Sequence, residues 1–161
     1  MFIKYLTFSI SIAFISWIAG MILNAFLIKT SFYKNRLSYL NFLTNENHNK
    51  LLGLGVFKWI LLHSFFKFFN PKLSMKKTIK ISELQSYRDE MTLAEFNHLL
   101  AFLFMAIFIL IKIFKGLYLF ALVMMMVNLL MNIYPVLLQQ QNKRRIDRFA
   151  AVMELKNNRL G

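Results

Sequence analysis

The chain has 161 residues, of which 58% are hydrophobic, with 18 Phe, 10 Met and no Cys, and its formal net charge is +13. The charges fall almost wholly outside three long apolar runs, which excludes an ordinary water-soluble globular domain. The lack of cysteine excludes disulfides and thiolate catalysis.

The first run, Tyr5 to Ile28, carries no formal charge. At roughly 1.5 Å per residue it exceeds the roughly 30 Å hydrocarbon core of a bilayer, so it can span. It is too long for the apolar region of a cleaved signal peptide, and no small-x-small cleavage pattern follows it. Two later runs, at about 97–113 and 116–138, form an apolar hairpin. Because backbone groups in lipid must satisfy their own hydrogen bonds, all three runs are predicted to be helices rather than strands. The expected fold is an all-α membrane protein with three transmembrane helices, at about 5–28, 97–113 and 116–138, in a single integral membrane domain over residues 1–161.

The stretch from Leu51 to Phe69 is rich in Leu and Phe yet contains Lys58, His63 and Lys67. Charge counting decides how to read it. With three spans, Lys29 to Arg88 holds 11 Lys or Arg and the tail after Leu138 holds 6, leaving only Lys4, Lys112 and Lys115 opposite. A fourth span would bury two lysines and weaken that asymmetry, so the positive-inside rule favours three. Residues 51–69 are then expected to form an interfacial or re-entrant amphipathic helix, with the Lys58 and Lys67 stems snorkelling toward head groups. Asn70-Pro71 ends this helix, and Lys72 to Ile81 reads as a solvated basic loop. The N-terminus faces outward, with a basic cytoplasmic loop at 29–95 and a basic cytoplasmic tail at 139–161. The positive charge follows from this topology and from attraction to anionic lipid, worth about 1 kcal/mol per residue, so no nucleic-acid partner is expected.

The hairpin carries most of the polar chemistry. With its turn at Phe114, His98 and Asn132 lie roughly 24 and 27 Å from the tip and are therefore level. By the same counting Glu95 matches Ile133 or Tyr134, and Arg88 matches Gln139 or Gln140. Glu95 and His98 are three apart, on one helical face, where a carboxylate can orient an imidazole and raise its basicity. A general base needs that arrangement. The same residues also fit plainer roles: Glu95 at the positive end of a helix, Asn128 and Asn132 in helix–helix hydrogen bonds, and Lys143, Arg144 and Arg145 as a positive stop. Met124-Met125-Met126 reads as packing filler, and His48 and His63 as structural. Glu95-x-x-His98 is half of a di-iron carboxylate motif, but there is one copy and only seven acidic residues, so no metal is expected. No GxSxG, P-loop or His-x4-Asp pattern occurs.

Two motifs carry a family likeness. Glu90-x-x-x-Ala94-Glu95-x-x-His98 before an apolar span, and Asn132-Ile-Tyr-Pro135-Val-Leu-Leu-Gln139-Gln-Gln-Asn142-Lys-Arg-Arg145 closing the last one, resemble the glycosyl-4,4'-diaponeurosporenoate acyltransferase family of bacterial carotenoid biosynthesis. The segment Leu52-Gly-Leu-Gly55-Val-Phe-Lys58-Trp59 is similar to that family's Leu-Gly-Val-x-x-Trp-Lys neighbourhood. The likeness covers most of the length. The chain departs where the family usually reads Gln-Arg-Tyr-Asn-Arg-Pro-Arg and this chain reads Gln139-Gln140-Gln141-Asn142-Lys143-Arg144-Arg145.

The resemblance implies transfer of a fatty acyl chain to a sugar hydroxyl of a glycosylated carotenoid or related glycolipid, in a bacterial cell membrane. On that reading His98 is the base and Glu95 orients it. Arg144 and Arg145, with an exposed Lys143 beside them, would hold the phosphates of an acyl donor. Asn132, Gln139 and Asn142 would position the sugar or the developing oxyanion, with Tyr134 and Arg88 also binding substrate. No cofactor is expected beyond the acyl-CoA or acyl-carrier thioester co-substrate. The expected partners are the bilayer, the lipophilic acceptor, the acyl donor, and a homo-oligomer or membrane complex. The rival reading is a non-catalytic small subunit of a larger membrane complex, with Gly20, Ala25, Asn128 and Asn132 facing a partner.

Overall fold

A computed structural model describes residues 1–39, 53–63 and 83–160. The elements in chain order are α1 (Phe2–Leu27), α2 (Ser31–Asn35), a 3₁₀ turn (Leu37–Tyr39), α3 (Leu54–His63), α4 (Leu84–Phe114), α5 (Tyr118–Asn128), a π turn (Leu129–Ile133) and α6 (Tyr134–Leu160). No strand occurs among the described residues. Among the described residues three stretches are long and apolar enough to cross a membrane, Phe2–Leu27, Leu84–Phe114 and Tyr118–Met153, as the hydropathy pattern predicts for a multi-pass membrane protein.

The second and third of these helices are longer than their apolar runs. Helix α4 begins at Leu84 rather than near 97, and α6 continues to Leu160 rather than ending near 138. The extensions are amphipathic: Leu84 and Met91 of α4 and Ile146 of α6 form a small buried cluster with Tyr87 and Ala150. A search for uninterrupted apolar residues finds the lipid-crossing part of a helix and misses a polar continuation held by one packed face.

The described residues fall into two compact units, one of 1–39 with 92–136, the other of 53–63, 83–91 and 137–160. In the first unit, Ile12 and Ala13 of α1, Met105 and Ile109 of α4, and Ala121, Met124 and Val127 of α5 form the core. The hairpin turns where the sequence predicts. Gly116, at φ 70°, takes the left-handed conformation that closes α4, with its N–H on the Ile113 carbonyl at 2.9 Å and the Leu117 N–H on the Lys112 carbonyl at 2.9 Å. Beside the turn, the Lys112 ammonium lies 5.0 Å from the Phe8 ring centre and 4.6 Å from that of Phe120, which stacks on Tyr5 at 4.3 Å. Those rings let a cation sit among apolar side chains at the end of a span.

Helix α1 meets α4 at close range because residue 20 is glycine. A Cβ there would run into the Asn97 carbonyl oxygen and stand 2.9 Å from the Ala101 backbone nitrogen. One turn on, the fully buried Asn24 donates to the Leu93 carbonyl at 3.0 Å and to Asn97 Oδ1 at 2.7 Å. Between apolar helices in lipid, close backbone approach and interhelical hydrogen bonds take over the role that hydrophobic burial has in water.

In the second unit, α3 is described over ten residues. Val56, Trp59 and Ile60 are exposed and share one face, while Leu54 is fully buried on the other. Lys58 is half-buried and shares a face with Leu54 and Phe57, since 54, 57 and 58 follow the i, i+3, i+4 pattern of one helical face. Burial, and secondarily the Arg145 guanidinium, lower the Lys58 pKa from its ordinary value. Residues 51, 52 and 64–69 of the predicted amphipathic segment, together with His48, Asn70-Pro71 and the basic stretch 72–81, lie outside the described residues.

Candidate active site

The site in the first unit starts from a proline. Pro135 has no N–H to give the Met131 carbonyl, the acceptor four residues back in an ordinary α-helix. The helix opens there into the π turn Leu129–Ile133, and the Tyr134 N–H reaches back five residues to the Leu129 carbonyl. Asn132 sits inside this wide turn and is buried. Isolated π turns of this kind concentrate at functional sites.

Across from it on α4, His98 Nδ1 lies 3.4 Å from Asn132 Oδ1, a long hydrogen bond, and the Met131 main chain is the ring's other partner. Asn132 Nδ2 donates to Asn128 Oδ1 at 2.8 Å, and Asn128 Nδ2 donates to the Phe102 carbonyl at 3.2 Å. Counting residues from the turn put His98 level with Asn132, and the two side chains meet. Glu95 is fully buried one turn before His98, yet the imidazole contacts Asn132 and Met131 rather than this carboxylate. Tyr134, at the start of α6, is half-buried.

Asn128 is the residue that the sequence undervalued. It read as a helix–helix bond, and it does bind α4, but its other atom holds Asn132. The available signal was the Asn128/Asn132 spacing of four, followed three residues later by a proline inside the span.

The remaining expected site residues belong to the second unit. Gln139 and Asn142 are buried, Arg144 is half-buried and Arg145 is exposed. Lys143, expected as an exposed phosphate contact, is only 1% exposed. It lies three residues before Ile146, on the face that packs toward Leu84 and Met91, whereas Arg145 lies off that face. Arg88 was counted level with Gln139 or Gln140, but its Nε meets Asp147 Oδ1 at 2.7 Å. A guanidinium pairs with a carboxylate in preference to a neutral amide, so the count of residues from the turn does not choose its partner.

Chemically, an imidazole held by a buried amide at the edge of an apolar bundle is an arrangement that can accept a proton from a hydroxyl and return it to a leaving group. No curated protein and no solved structure matches the chain. The sequence model for glycosyl-4,4'-diaponeurosporenoate acyltransferase matches residues 29–152, which include α3, the His98 helix and the Asn132 turn, so the chain belongs to that family.

Proposed function

We propose that this protein is a membrane-embedded acyltransferase that moves a fatty acyl chain from an acyl thioester to a sugar hydroxyl of a glycosylated carotenoid or related glycolipid. The observation that carries the proposal is the His98–Asn132 contact, in a chain whose family is named for this reaction. His98 accepts the hydroxyl proton as the sugar oxygen attacks the thioester carbonyl. The new C–O ester bond forms, the C–S bond breaks, and the imidazolium returns its proton to the departing thiolate. Arg144 and Arg145 attract the phosphates of coenzyme A or of a carrier's prosthetic arm. Gln139 and Asn142 bind the sugar, together with Tyr134 and Arg88, while exposed apolar side chains of α1 and α4 such as Ile18, Ile22, Leu103 and Ile107 face lipid.

The rival reading, a non-catalytic subunit, needs Gly20, Ala25, Asn128 and Asn132 to meet a partner. Gly20, Asn128 and Asn132 are engaged within the chain, which favours the enzyme, while Ala25 is exposed. The direct test supplies a glycosylated carotenoid acid to cells with and without this protein and profiles their lipids by mass spectrometry. A new species heavier by one esterified fatty acyl group is expected only with the protein, and identical profiles would refute the activity.

The proposed orientation puts the N-terminus outside and the C-terminal tail in the cytoplasm. Cysteine at the exposed Val152 should be protected from an impermeant thiol reagent on intact cells, and cysteine at the exposed Phe114 should be labelled. The reverse pattern would invert the topology.

A further inference from the structure

We propose that Asn128 is a positioning residue that, through Asn132, fixes the proton of His98 on Nδ1 and leaves Nε2 as the nitrogen that accepts the substrate proton. The inference rests on the general-base reading of His98 for its catalytic meaning, but its geometry stands apart from it. The chain of contacts begins at a group with no ambiguity, the Phe102 carbonyl, which can only accept. The Asn128 atom 3.2 Å from it is therefore the NH₂ group, and the other end of that amide is the oxygen. That oxygen lies 2.8 Å from Asn132, so the Asn132 atom facing it is the NH₂ donor. What Asn132 turns toward His98 is then its oxygen, 3.4 Å from Nδ1, and an amide oxygen can only accept. For the Asn132 contact to be a hydrogen bond Nδ1 must carry the hydrogen, and in the neutral ring Nε2 then keeps its lone pair; the ring's second acceptor, the Met131 main chain, must accordingly share the same Nδ1–H.

Burial makes the chain directional. Asn128 is 0% and Asn132 1% exposed, so neither amide can exchange its partners for bulk water. Flipping either amide would set oxygen against oxygen and nitrogen against nitrogen, leaving buried groups unsatisfied. An ordered pair of asparagines thus does for this imidazole what a carboxylate does in the familiar hydrolytic triads, without placing a second charge in the bundle.

The test is ¹⁵N NMR of the full chain in lipid nanodiscs, labelled at histidine, at a pH about two units above the ordinary imidazole pKa of roughly 6.5. The His98 ring signals are assigned by their loss in His98→Gln. The expected result is a protonated Nδ1 and a bare Nε2. A protonated Nε2 with a bare Nδ1 in the parent protein overturns the proposal, and this needs no variant to fold.

Asn128→Leu should convert the His98 signals to a mixture of tautomers. It should also lower kcat on the order of tenfold or more while KM stays within about twofold, as expected for a group that acts through the base rather than on bound substrate. Asn128→Asp should recover most of the rate and the Nδ1–H signal, because a protonated carboxyl can donate to Phe102 and accept from Asn132. Unchanged tautomer signals in a folded Asn128→Leu protein would also overturn the proposal. Failure of the general-base reading shows separately, as His98→Gln retaining activity whatever the tautomer.

Discussion

His98→Gln is expected to lower acyl transfer by roughly 10²- to 10⁴-fold, the usual loss when a positioned general base is removed. Glutamine is the demanding choice. Its amide can still donate to Asn132 Oδ1, where His98 Nδ1 now sits at 3.4 Å, but it cannot take up a proton at neutral pH. The variant should reach the membrane in parental amounts, since His98 is only half-buried and its replacement keeps a hydrogen-bonding group. The loss should fall in kcat, because a base acts in the transition state, whereas Arg145→Ala should chiefly raise KM for the thioester. Glu95→Gln serves as the comparison: the sequence gives it the orienting role, but the ring is held by Asn132, so the activity of this variant should stay well above that of His98→Gln. Product formation by His98→Gln within about twofold of the parent would remove the base from the mechanism.

Gly20→Leu should have the largest effect on stability. Even the first atom of a side chain at this position meets the Asn97 carbonyl and the Ala101 amide nitrogen, and both are backbone groups that cannot rotate away. Helix α1 must move off α4, and the two hydrogen bonds from Asn24, at 3.0 and 2.7 Å, are stretched with it. Overpacking costs typically about 1–3 kcal/mol. Each interhelical hydrogen bond lost in a membrane adds on the order of 0.6 kcal/mol. For a chain of this size the total is a fall in Tm of roughly 5–15 °C, read by thermal denaturation in detergent. Gly20→Ala should show a smaller fall in the same direction. Ile18→Ala, at an exposed position of the same helix, should leave Tm nearly unchanged and controls for a general weakening of α1. Equal melting of Gly20→Leu and the parent would mean that α1 and α4 do not pack through this glycine.

The sequence by itself determined the class of fold, because lipid leaves a backbone no alternative to the helix and three uncharged runs of sufficient length can be counted directly. It also determined which hairpin residues are level, since rise per residue is fixed once the turn is placed. His98 and Asn132 were paired in that way, and the family could be recognised from the residues around them. Tertiary structure alone decided what these side chains hold. Counting along two helices gives height but not rotation, so it could not show that the imidazole meets Asn132 rather than Glu95. Nor could it show that Lys58 and Lys143 lie on covered faces while Arg145 stays exposed. The π turn is the clearest instance. Pro135 announces a missing donor, but whether the helix kinks, breaks or widens depends on what packs against it, and here the turn's own Asn132 meets a histidine from the facing helix.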